Sequence, residues 1–221
     1  RDRLRSRGLG DVYKRQAQML KVMEEAAAYG LTGVRSHSGL TGGSALKLQN
    51  AAAQPGFNKL LGALATDAVT YALAVSECNA AMGRIVAAPT AGAAGVLPGV
   101  LLALKKHCNL TEEQLARALV VAGQIGLVIA ARASLAGAVG GCQAECGSAA
   151  AMAAGAAVDA LGGTPAQAGT AVSIVFKNML GLVCDPVAGL VEVPCIKRNG
   201  GAAVQALLAA EMALAGIGSF I

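Results

Sequence analysis

The scarcity of large side chains constrains the fold of this chain more than any other feature. Aromatic residues make up 3% of the sequence, tryptophan is absent, and glycine contributes 29 of the 221 residues. Alanine and glycine dominate long stretches such as residues 148–161. A core of such residues is filled by bringing backbones close together, which is typical of helices that cross at small side chains. The sequence therefore predicts an all-α fold of tightly packed Ala/Gly-rich helices.

Apolar residues at helical spacing, together with start and stop signals, predict six long helices. They cover residues 16–29, 57–82, 112–131, 148–161, 166–180 and 202–215. Asn58 is the predicted cap of the second helix, and Thr111 with Gln114 forms a capping box before the third. Gly30 is a typical helix stop. Residues 31–44 are predicted to form a loop, and residues 190–193 are the only strand candidate.

Residues 1–16 differ from the rest of the chain in charge. They hold six basic and two acidic residues and so supply +4 of the formal net charge of +5. No apolar stretch of a signal peptide follows them. The abrupt change in composition indicates a non-native or disordered segment, so its charge gives no reason to expect a nucleic-acid partner. Residues 17–221 contain no linker, and we expect one compact domain with functional loops at the breaks between helices.

The mean hydropathy of +0.55 raises the alternative of a membrane protein. The longest uncharged run, Ile85–Leu104, is long enough to span a bilayer, but Pro89, Pro98 and several glycines interrupt it. It is interpreted as a loop that opens into a short helix. Ala118–Ala131 has the length of a buried helix in a soluble protein. We therefore expect no membrane partner.

The segment Cys184–Cys195, with the sequence CDPVAGLVEVPC, is the most specific in the chain. Pro186 and Pro194 disfavour a single regular helix, so we expect an irregular loop with a thiol at each end. Cys142 lies in a similar context of small residues. Three thiolates at bends of the backbone suggest a metal centre with an open coordination position.

The other cysteines carry less information. Six cysteines without a signal peptide indicate a reducing compartment, here the cytoplasm, and argue against a disulfide framework. Cys78 and Cys108 are interpreted as core residues. Cys146 lies four residues after Cys142 and would share its helical face, so it stays open as a further ligand.

Two glycine-containing loops precede predicted helices, at Ser38–Ser44 and Ala88–Gly95. Free amides and hydroxyls in such loops can hold an anion, for example a carboxylate, at the start of a helix. Neither loop has the lysine of a Walker A motif, so a nucleotide site is not expected. Taken singly, each loop is more often a connector. Together with the cysteine segments they indicate a composite site.

Six pieces of the sequence occur together in the order typical of one family. They are residues 38–43 (SGLTGG), 77–83 (ECNAAMG), 89–92 (PTAG), 141–145 (GCQAE), 177–182 (KNMLGL) and 184–195. With them the chain resembles the alpha subunit, or catalytic domain, of the iron–sulfur-dependent L-serine dehydratases. The resemblance covers about residues 17–221.

This resemblance implies the substrate, the cofactor and the reaction. The family converts L-serine to pyruvate and ammonia with a [4Fe-4S] cluster and without pyridoxal phosphate. The cysteines that match its cluster ligands are Cys142, Cys184 and Cys195. Three thiolates leave one iron without a protein ligand, which makes it a Lewis acid for the serine hydroxyl. A base removes the α-proton, and the aminoacrylate product tautomerises and hydrolyses.

Site roles follow from the resemblance with less specificity. The substrate carboxylate needs preorganised donors, which we assign to two groups of residues. They are Ser38, Gly39, Thr41 and Gly42 in the first loop, and Thr90, Ala91 and Gly92 in the second. For the catalytic proton transfers we expect Ser38, Lys177 or Glu145. His37 is a weaker candidate base, and His107 is interpreted as part of a solvated face.

The resemblance also bears on chain organisation and partners. The family has further helices beyond the position of Ile221, so we expect a catalytic domain truncated at its C-terminus. The family's regulatory beta domain is missing, which implies a beta subunit on a separate chain and a homo- or hetero-oligomer. Two other classes stay open: an electron carrier with four cysteine ligands, and a helical membrane or assembly component without catalysis.

Overall fold

The computed structural model describes residues 9–220, which form nine α-helices and no β-strand. The helices are α1 (Leu9–Gly30), α2 (Ser44–Ala52), α3 (Gly62–Ala80), α4 (Val96–Cys108), α5 (Glu112–Arg132), α6 (Gly137–Gly140), α7 (Ser148–Ala160), α8 (Pro165–Met179) and α9 (Val193–Leu214). A π-helical turn, Gln143–Gly147, leads directly into α7. The all-α prediction is confirmed.

Helix α7 is the centre of the fold and is built almost wholly from alanine. It packs against α4, α5, α8 and α9. Nearly every side chain from Ser148 to Val158 is buried, which leaves α7 no polar face. A helix of this kind is stable only when neighbours surround it on all sides. The core is therefore filled by close packing of Ala/Gly-rich helices, as the composition predicts.

The crossing of α3 and α4 shows why the chain uses glycine in its core. A Cβ atom added to Gly99 would lie 2.7 Å from the main-chain oxygen of Ala68, and one added to Gly95 would clash with the oxygen of Ala72. Contacts this short have no counterpart in real structures, so no other residue fits without a backbone shift. The two helices thus approach each other at the distance that only glycine permits.

Several predicted boundaries are confirmed, and the capping box is the clearest. The Thr111 hydroxyl accepts from the Gln114 N–H at 3.2 Å, and the Gln114 side chain accepts from the Thr111 N–H at 2.9 Å. The helix that follows ends at Arg132, one residue beyond the prediction. Gly30 is the last residue of α1, and α7 and α8 lie within one residue of their predicted ranges.

Thr111→Ala should lower the free energy of unfolding by about 1 kcal/mol, because it leaves an N-terminal amide of α5 without a partner. For a chain of this size the melting temperature should fall by about 2–4 °C in a circular dichroism melt. Thr111→Ser keeps the cap and should melt like the parent. A fall of equal size in Thr111→Ser would show that the hydroxyl is not the stabilising group.

Other predicted boundaries are wrong, each for a local reason. α1 begins at Leu9, not at residue 16. Helix α2 follows the predicted loop, where the sequence indicated a helix start but no range for the helix. α3 begins at Gly62 because that glycine has φ +73°, a left-handed conformation that separates it from the turn around Asn58. The 190–193 segment is not a strand: Leu190 only closes a turn with Val187.

The start of α9 is the correction that matters most for function. It begins at Val193 and runs without a break through Asn199-Gly200-Gly201, which was expected to precede the helix. Pro194 is tolerated because it lies in the first turn, where a backbone amide has no helical partner. The segment between Cys184 and Cys195 is therefore not a loop at both ends, because Cys195 is already helical.

One described helix, Glu112–Arg132 of α5, is long and apolar enough to cross a membrane by length and composition. Only 39% of its most apolar window is buried in the fold. Part of its exposed face borders an open groove of about 450 Å³ between α5 and α8, with Val121, Ile125 and Phe176 among its lining residues. Core helices of soluble proteins pass the same test.

Candidate active site

The first two turns of α9 form the hub of the candidate site. Glu192 is the residue before the helix, and Cys195, Arg198 and Asn199 follow it at helical spacing. Residues three, six and seven positions apart lie on one face of a helix, so all four side chains project to the same side. Each of them contacts a different segment of the predicted site.

Asn199 is fully buried, and its amide group joins two residues of the 88–95 loop to the first turn of α9. Its Oδ1 accepts from the Gly95 N–H at 3.0 Å. Its Nδ2 donates to the main-chain oxygens of Gly92 and Cys195, each at 2.8 Å. A buried amide with this many partners fixes geometry, because each group left unpaired would carry a desolvation penalty. Asn199 thereby sets the position of the 88–95 loop relative to Cys195.

The 36–43 loop presents two hydroxyls to Glu192. The Ser38 hydroxyl donates to Glu192 Oε2 at 2.7 Å, and the Thr41 hydroxyl reaches the same oxygen at 3.4 Å. The Ser36 and Ser38 hydroxyls lie 3.1 Å apart, and Ser36 accepts from the Thr41 N–H. The loop therefore presents a row of hydroxyl groups, two of which contact a carboxylate of the protein itself, that of Glu192.

The helix start behind this loop already holds an anion from inside the protein. Glu77 is fully buried, and its carboxylate accepts from the Ser44 N–H at 2.7 Å and the Ala45 N–H at 3.3 Å. A carboxylate at this position satisfies first-turn amides and complements the helix dipole. The N-terminus of α2 is thus not the anion site that the sequence suggested. Only the hydroxyls of the loop remain for a ligand.

The 88–95 loop contains a buried polar atom without a partner. The Thr90 hydroxyl oxygen is inaccessible to solvent and has no hydrogen bond within the described part of the chain. The loop itself is held firmly, since Asn79 Nδ2 donates to the Ala91 oxygen at 3.0 Å and Asn199 holds Gly92. An orphaned hydroxyl costs stability unless a ligand or water satisfies it. Its presence in a fixed loop makes it a candidate position for a ligand atom or a water molecule.

Glu145 brings the cysteine segments to the same place. A Cβ atom added to Gly92 would lie 3.4 Å from Glu145 Oε2, so this carboxylate faces the 88–95 loop. Its charge also raises the pKa of Cys195, after burial and the charge of Cys142. Glu145 is half-buried in the π-helical turn just after Cys142. One carboxylate thus lies between the 88–95 loop and the thiols.

Backbone contacts bring Cys142 and Cys184 together. The Gln143 N–H donates to the Leu182 oxygen at 2.8 Å, and Gln143 Oε1 accepts from the Gly181 N–H at 2.9 Å. Gly141 has φ +77°, and a Cβ atom there would lie 3.3 Å from the Cys184 nitrogen. Only glycine allows this close approach of the two backbone segments. The thiols at 142 and 184 therefore come from segments that run side by side.

Arg198 links Cys195 to the segments that carry Cys142 and Cys184. We call the region of these three cysteines the thiol corner. The Arg198 guanidinium donates to the Val183 oxygen at 2.9 Å and lies 3.6 Å from the Asp185 carboxylate. It also lowers the pKa of Cys142, though less than the hydrogen bond from Cys146. Arg198 follows Cys195 by three residues and so lies one turn away on the same face. Arg198 thus contacts the residues on either side of Cys184, interacts with Cys142, and lies one turn from Cys195.

The pKa values of the thiols differ with their surroundings. A hydrogen bond from the Cys146 thiol lowers the pKa of Cys142 against the effect of burial, with help from Arg198. The same contact, followed by burial, raises the pKa of Cys146. Burial and the charges of Cys142 and Glu145 raise the pKa of Cys195 to about 11. A cationic metal group would reverse this last effect, since a bound thiol is deprotonated.

The donor set fits an iron–sulfur cluster in its chemistry. All six cysteines are free, and the three predicted ligands are soft thiols on adjacent segments. Among residues 9–220, no three histidine, cysteine, aspartate or glutamate side chains are close enough to hold a single metal ion. A cubane cluster binds each cysteine through a different iron, so its ligands surround it and do not converge on one point. Soft thiols are the residue type that such a cluster requires, so the chemistry of the three residues is compatible with it.

The remaining predicted residues fall in different places. Ser38 and Thr41 are in contact with the α9 hub, and Thr90, Ala91 and Gly92 lie in the loop that Asn199 holds. Gly39 and Gly42 both have positive φ, 77° and 144°, and shape the first loop. Lys177 is exposed in the last turn of α8, and no contact described here joins it to the other residues. Its catalytic role stays a prediction.

The two histidines and the other cysteines also have clear positions. The His37 N–H donates to the Ala80 oxygen at 3.0 Å, which anchors the first loop to α3, while its side chain is exposed. His107 is not simply solvated, because its Nε2 lies 2.6 Å from the Asp67 carboxylate. Cys78 is buried in the core, and Cys108 packs against the core from its edge, as expected. Cys146 is buried beside Cys142.

Three residues of the site were not found from the sequence: Glu192, Arg198 and Asn199. Each is polar and contacts a predicted motif. The signal was present, since together with Cys195 they repeat at the spacing of a helix face. It was hidden because the prolines and the Asn-Gly-Gly sequence placed the predicted start of the helix nine residues too late.

This combination of an all-helical core, a thiol-rich corner and two hydroxyl-bearing loops defines a class: a helical protein with a composite site at its helix breaks. Comparison with known proteins gives the family. The family model described as serine dehydratase alpha chain matches residues 5–221. The chain therefore belongs to the serine dehydratase alpha chain family.

Individual relatives agree with this assignment. The chain is 57% identical over 211 residues to a probable L-serine dehydratase, alpha chain, of Bacillus subtilis, covering 96% of this chain and 70% of that protein. It is 48% identical over 162 residues to the L-serine dehydratase, alpha chain, of Peptoniphilus asaccharolyticus, covering 73% and 56%. For L-serine dehydratase TdcG of Escherichia coli the identity is 50% over 145 residues, covering 65% and 32%. The chain thus spans only part of each relative.

Proposed function

We propose that this chain is the catalytic alpha chain of an L-serine dehydratase, which converts L-serine to pyruvate and ammonia. The family membership and the printed names of the relatives support this activity. The structural observation that carries the proposal is the buried Thr90 hydroxyl without a partner, in a loop that α9 holds beside Glu145. It is a polar position prepared for a ligand next to the thiol corner.

The binding step uses hydroxyl groups rather than a cationic side chain. Ser38 and Thr41 donate from one loop, and Thr90 lies in the other. Fixed donors of this kind can hold the substrate carboxylate without reorganisation during the reaction. Asn199 holds the second loop at a fixed distance from Cys195, so a bound serine would keep its β-hydroxyl oriented toward the cysteines.

The thiol corner would hold a [4Fe-4S] cluster through Cys142, Cys184 and Cys195. When bound, such a cluster supplies an iron without a protein ligand, which acts as a Lewis acid for the departing hydroxyl group. Arg198 and the Gly141 turn keep the segments that carry the three thiols together. No pyridoxal phosphate is part of this proposal.

Removal of the α-proton needs a base within hydrogen-bond reach of the substrate. Glu145 is the predicted catalytic residue that lies nearest to both the second loop and the thiols. His37, which is exposed beside Ser38, is the competing base. Ser38 itself already donates to Glu192 and serves better as a binding group. Lys177 ranks below these because it has no described contact with the site.

The wider assembly is part of the same proposal. The name alpha chain in the B. subtilis and P. asaccharolyticus relatives supports a second, beta, subunit on a separate chain. The match to only 32% of the E. coli protein supports further regions in the whole enzyme. We place the enzyme in the cytoplasm, where its six free cysteines would stay reduced.

Thr90→Val tests the binding role by separating activity from stability. The variant removes a buried hydroxyl without a partner, so the fold should be as stable as the parent or slightly more stable. The KM for L-serine should rise about tenfold, because a substrate hydrogen bond is lost. Steady-state pyruvate release and a thermal melt measure the two effects.

Thr90→Ser is the matched control for this variant, since it keeps the hydroxyl and should keep a KM within about twofold of the parent. Unchanged KM in Thr90→Val, with a stable fold, would remove Thr90 from the substrate site. A lower melting temperature in Thr90→Val would instead show that the hydroxyl has a structural partner.

A second function, electron transfer, is favoured by one observation. The Cys146 thiol is in hydrogen-bond contact with Cys142, so a fourth sulfur lies beside the proposed ligands. An electron carrier would use four cysteines and need no substrate loop. The iron content of a Cys146→Ser variant separates the two functions.

A further inference from the structure

The carboxylate of Glu192 occupies donors that a substrate carboxylate would use. Its Oε2 atom accepts from the Ser38 hydroxyl at 2.7 Å and lies 3.4 Å from the Thr41 hydroxyl. Hydrogen bonds from hydroxyls to an ionised acceptor are stronger than those between neutral groups. The first loop is therefore not open to an incoming anion, because a side chain of the same chemical type is already in place.

The other donors of the loop cannot replace these hydroxyls. The Leu40 and Thr41 amides donate to the Ser38 and Ser36 side chains, and the Gly39 amide donates to the Ser36 oxygen. The amides at the start of α2 are bound to Glu77. An anion that binds at the Ser38 and Thr41 hydroxyls must consequently compete with Glu192.

Glu192 is placed so that it can leave without disturbing the fold. It is the residue just before α9, and the turn before it, Val187–Leu190, is exposed. The helix after it is anchored independently through Arg198 and Asn199. The glutamate side chain is half-buried, so a rotation about its own bonds would carry the carboxylate into solvent. Release of the hydroxyls would require no movement of α9.

We propose that Glu192 is an internal stand-in for the substrate carboxylate and sets the selectivity of the site. A small anion that contributes only its negative charge gains no net binding free energy when it takes the place of the Glu192 carboxylate. A ligand displaces Glu192 more readily when it also gains contacts elsewhere, at Thr90 or at the thiol corner. This inference rests on the proposed function in one respect, namely that Ser38 and Thr41 receive a substrate carboxylate.

The test compares carboxylate binding in Glu192→Gln and in the parent protein. L-Alanine is the probe, since it has the carboxylate and the amine of the substrate but no hydroxyl to eliminate. Isothermal titration of the purified chain should show a dissociation constant for L-alanine about tenfold lower in Glu192→Gln, because the competing charge is gone. The KM for L-serine should fall in the same direction, with a smaller change in kcat.

Two further variants make the result specific. Glu113→Gln removes one carboxylate from an exposed position on α5 and should bind L-alanine like the parent. Glu192→Asp keeps the charge on a shorter side chain and should give an intermediate affinity. Circular dichroism establishes that each variant is folded, and Glu192→Asp serves as the test should Glu192→Gln fail to fold.

Three results would overturn the inference. One is an unchanged affinity for L-alanine in the folded Glu192 variants, which would show that Glu192 does not compete for the site. A second is a large loss of kcat with an unchanged KM, which would make Glu192 part of the chemistry. The third is absence of L-alanine binding in every protein. Failure of the proposed function gives a different pattern, in which L-alanine binds but L-serine yields no pyruvate from the reconstituted parent.

Discussion

Cys184→Ser should abolish iron binding and lower L-serine turnover by at least about 100-fold. A serine hydroxyl does not replace a thiolate as a ligand to a soft iron site. Loss of a ligand should exceed the 10–100-fold cost of losing a supporting group around a metal. Cys184 is exposed, so the substitution removes no core packing. Any loss of activity can accordingly be assigned to the site rather than to unfolding.

Anaerobic reconstitution with iron and sulfide measures this prediction, with visible absorption and iron content as the readouts. Cys108→Ser is the control, because Cys108 lies at the end of α4, far in sequence from the thiol corner, and should leave iron content unchanged. Cys146→Ser should also keep its iron if three cysteines hold the cluster. If Cys146→Ser loses iron as Cys184→Ser does, a fourth ligand is present and the electron-carrier function gains support.

Asn199→Ala should lower the free energy of unfolding by about 3 kcal/mol. The substitution removes three hydrogen bonds and leaves the Gly95 N–H and the Gly92 carbonyl without partners in a buried place. It also leaves a cavity where the amide was. The melting temperature should fall by about 6–12 °C for a domain of this size.

The same substitution should reduce kcat/KM for L-serine by about 100-fold, because Asn199 sets the position of the 88–95 loop relative to Cys195. A thermal melt and steady-state kinetics measure the two effects. Asn178→Ala is the matched control: its amide makes one exposed hydrogen bond, to Gln205, and its loss should cost less than about 0.5 kcal/mol. Equal destabilisation in both variants would mean that the buried network adds nothing.

The fold class could be predicted because composition leaves so few alternatives. A chain with few aromatics and abundant alanine fills its core only by close helix packing, and α7 has the composition that this requires. Helix ends were predictable where a local signal decides them, as at Thr111 and Gly30. These signals act within a few residues of each other and need no knowledge of the rest of the fold.

The start of α9 could not be predicted because tertiary contacts decide it. Asn199 and the two glycines after it are typical of a turn, yet Asn199 is used in buried hydrogen bonds, and a Cβ atom added to Gly200 would lie 3.1 Å from the Val69 side chain. Such contacts override local propensity. The same cause hid the role of Glu192, whose partners lie more than 150 residues earlier in the chain.

The candidate site was predictable as a set of motifs but not as a geometry. The sequence indicated which loops and cysteines belong together, and the structure joins them through α9. It did not indicate that Glu77 fills the helix start behind the first loop, because nothing in the sequence links residue 77 to residue 44. A buried carboxylate of this kind is recognisable only from its partners.

We propose that this chain holds a cluster on three thiolates and eliminates water from serine beside it. The most direct measurement is anaerobic reconstitution of the purified chain, alone and with a beta subunit, followed by iron analysis and an assay of pyruvate from L-serine. We expect about four irons per chain and pyruvate release that disappears in Cys184→Ser. Pyruvate formation by a preparation free of iron, or full iron uptake with no turnover in the presence of the beta subunit, would contradict it.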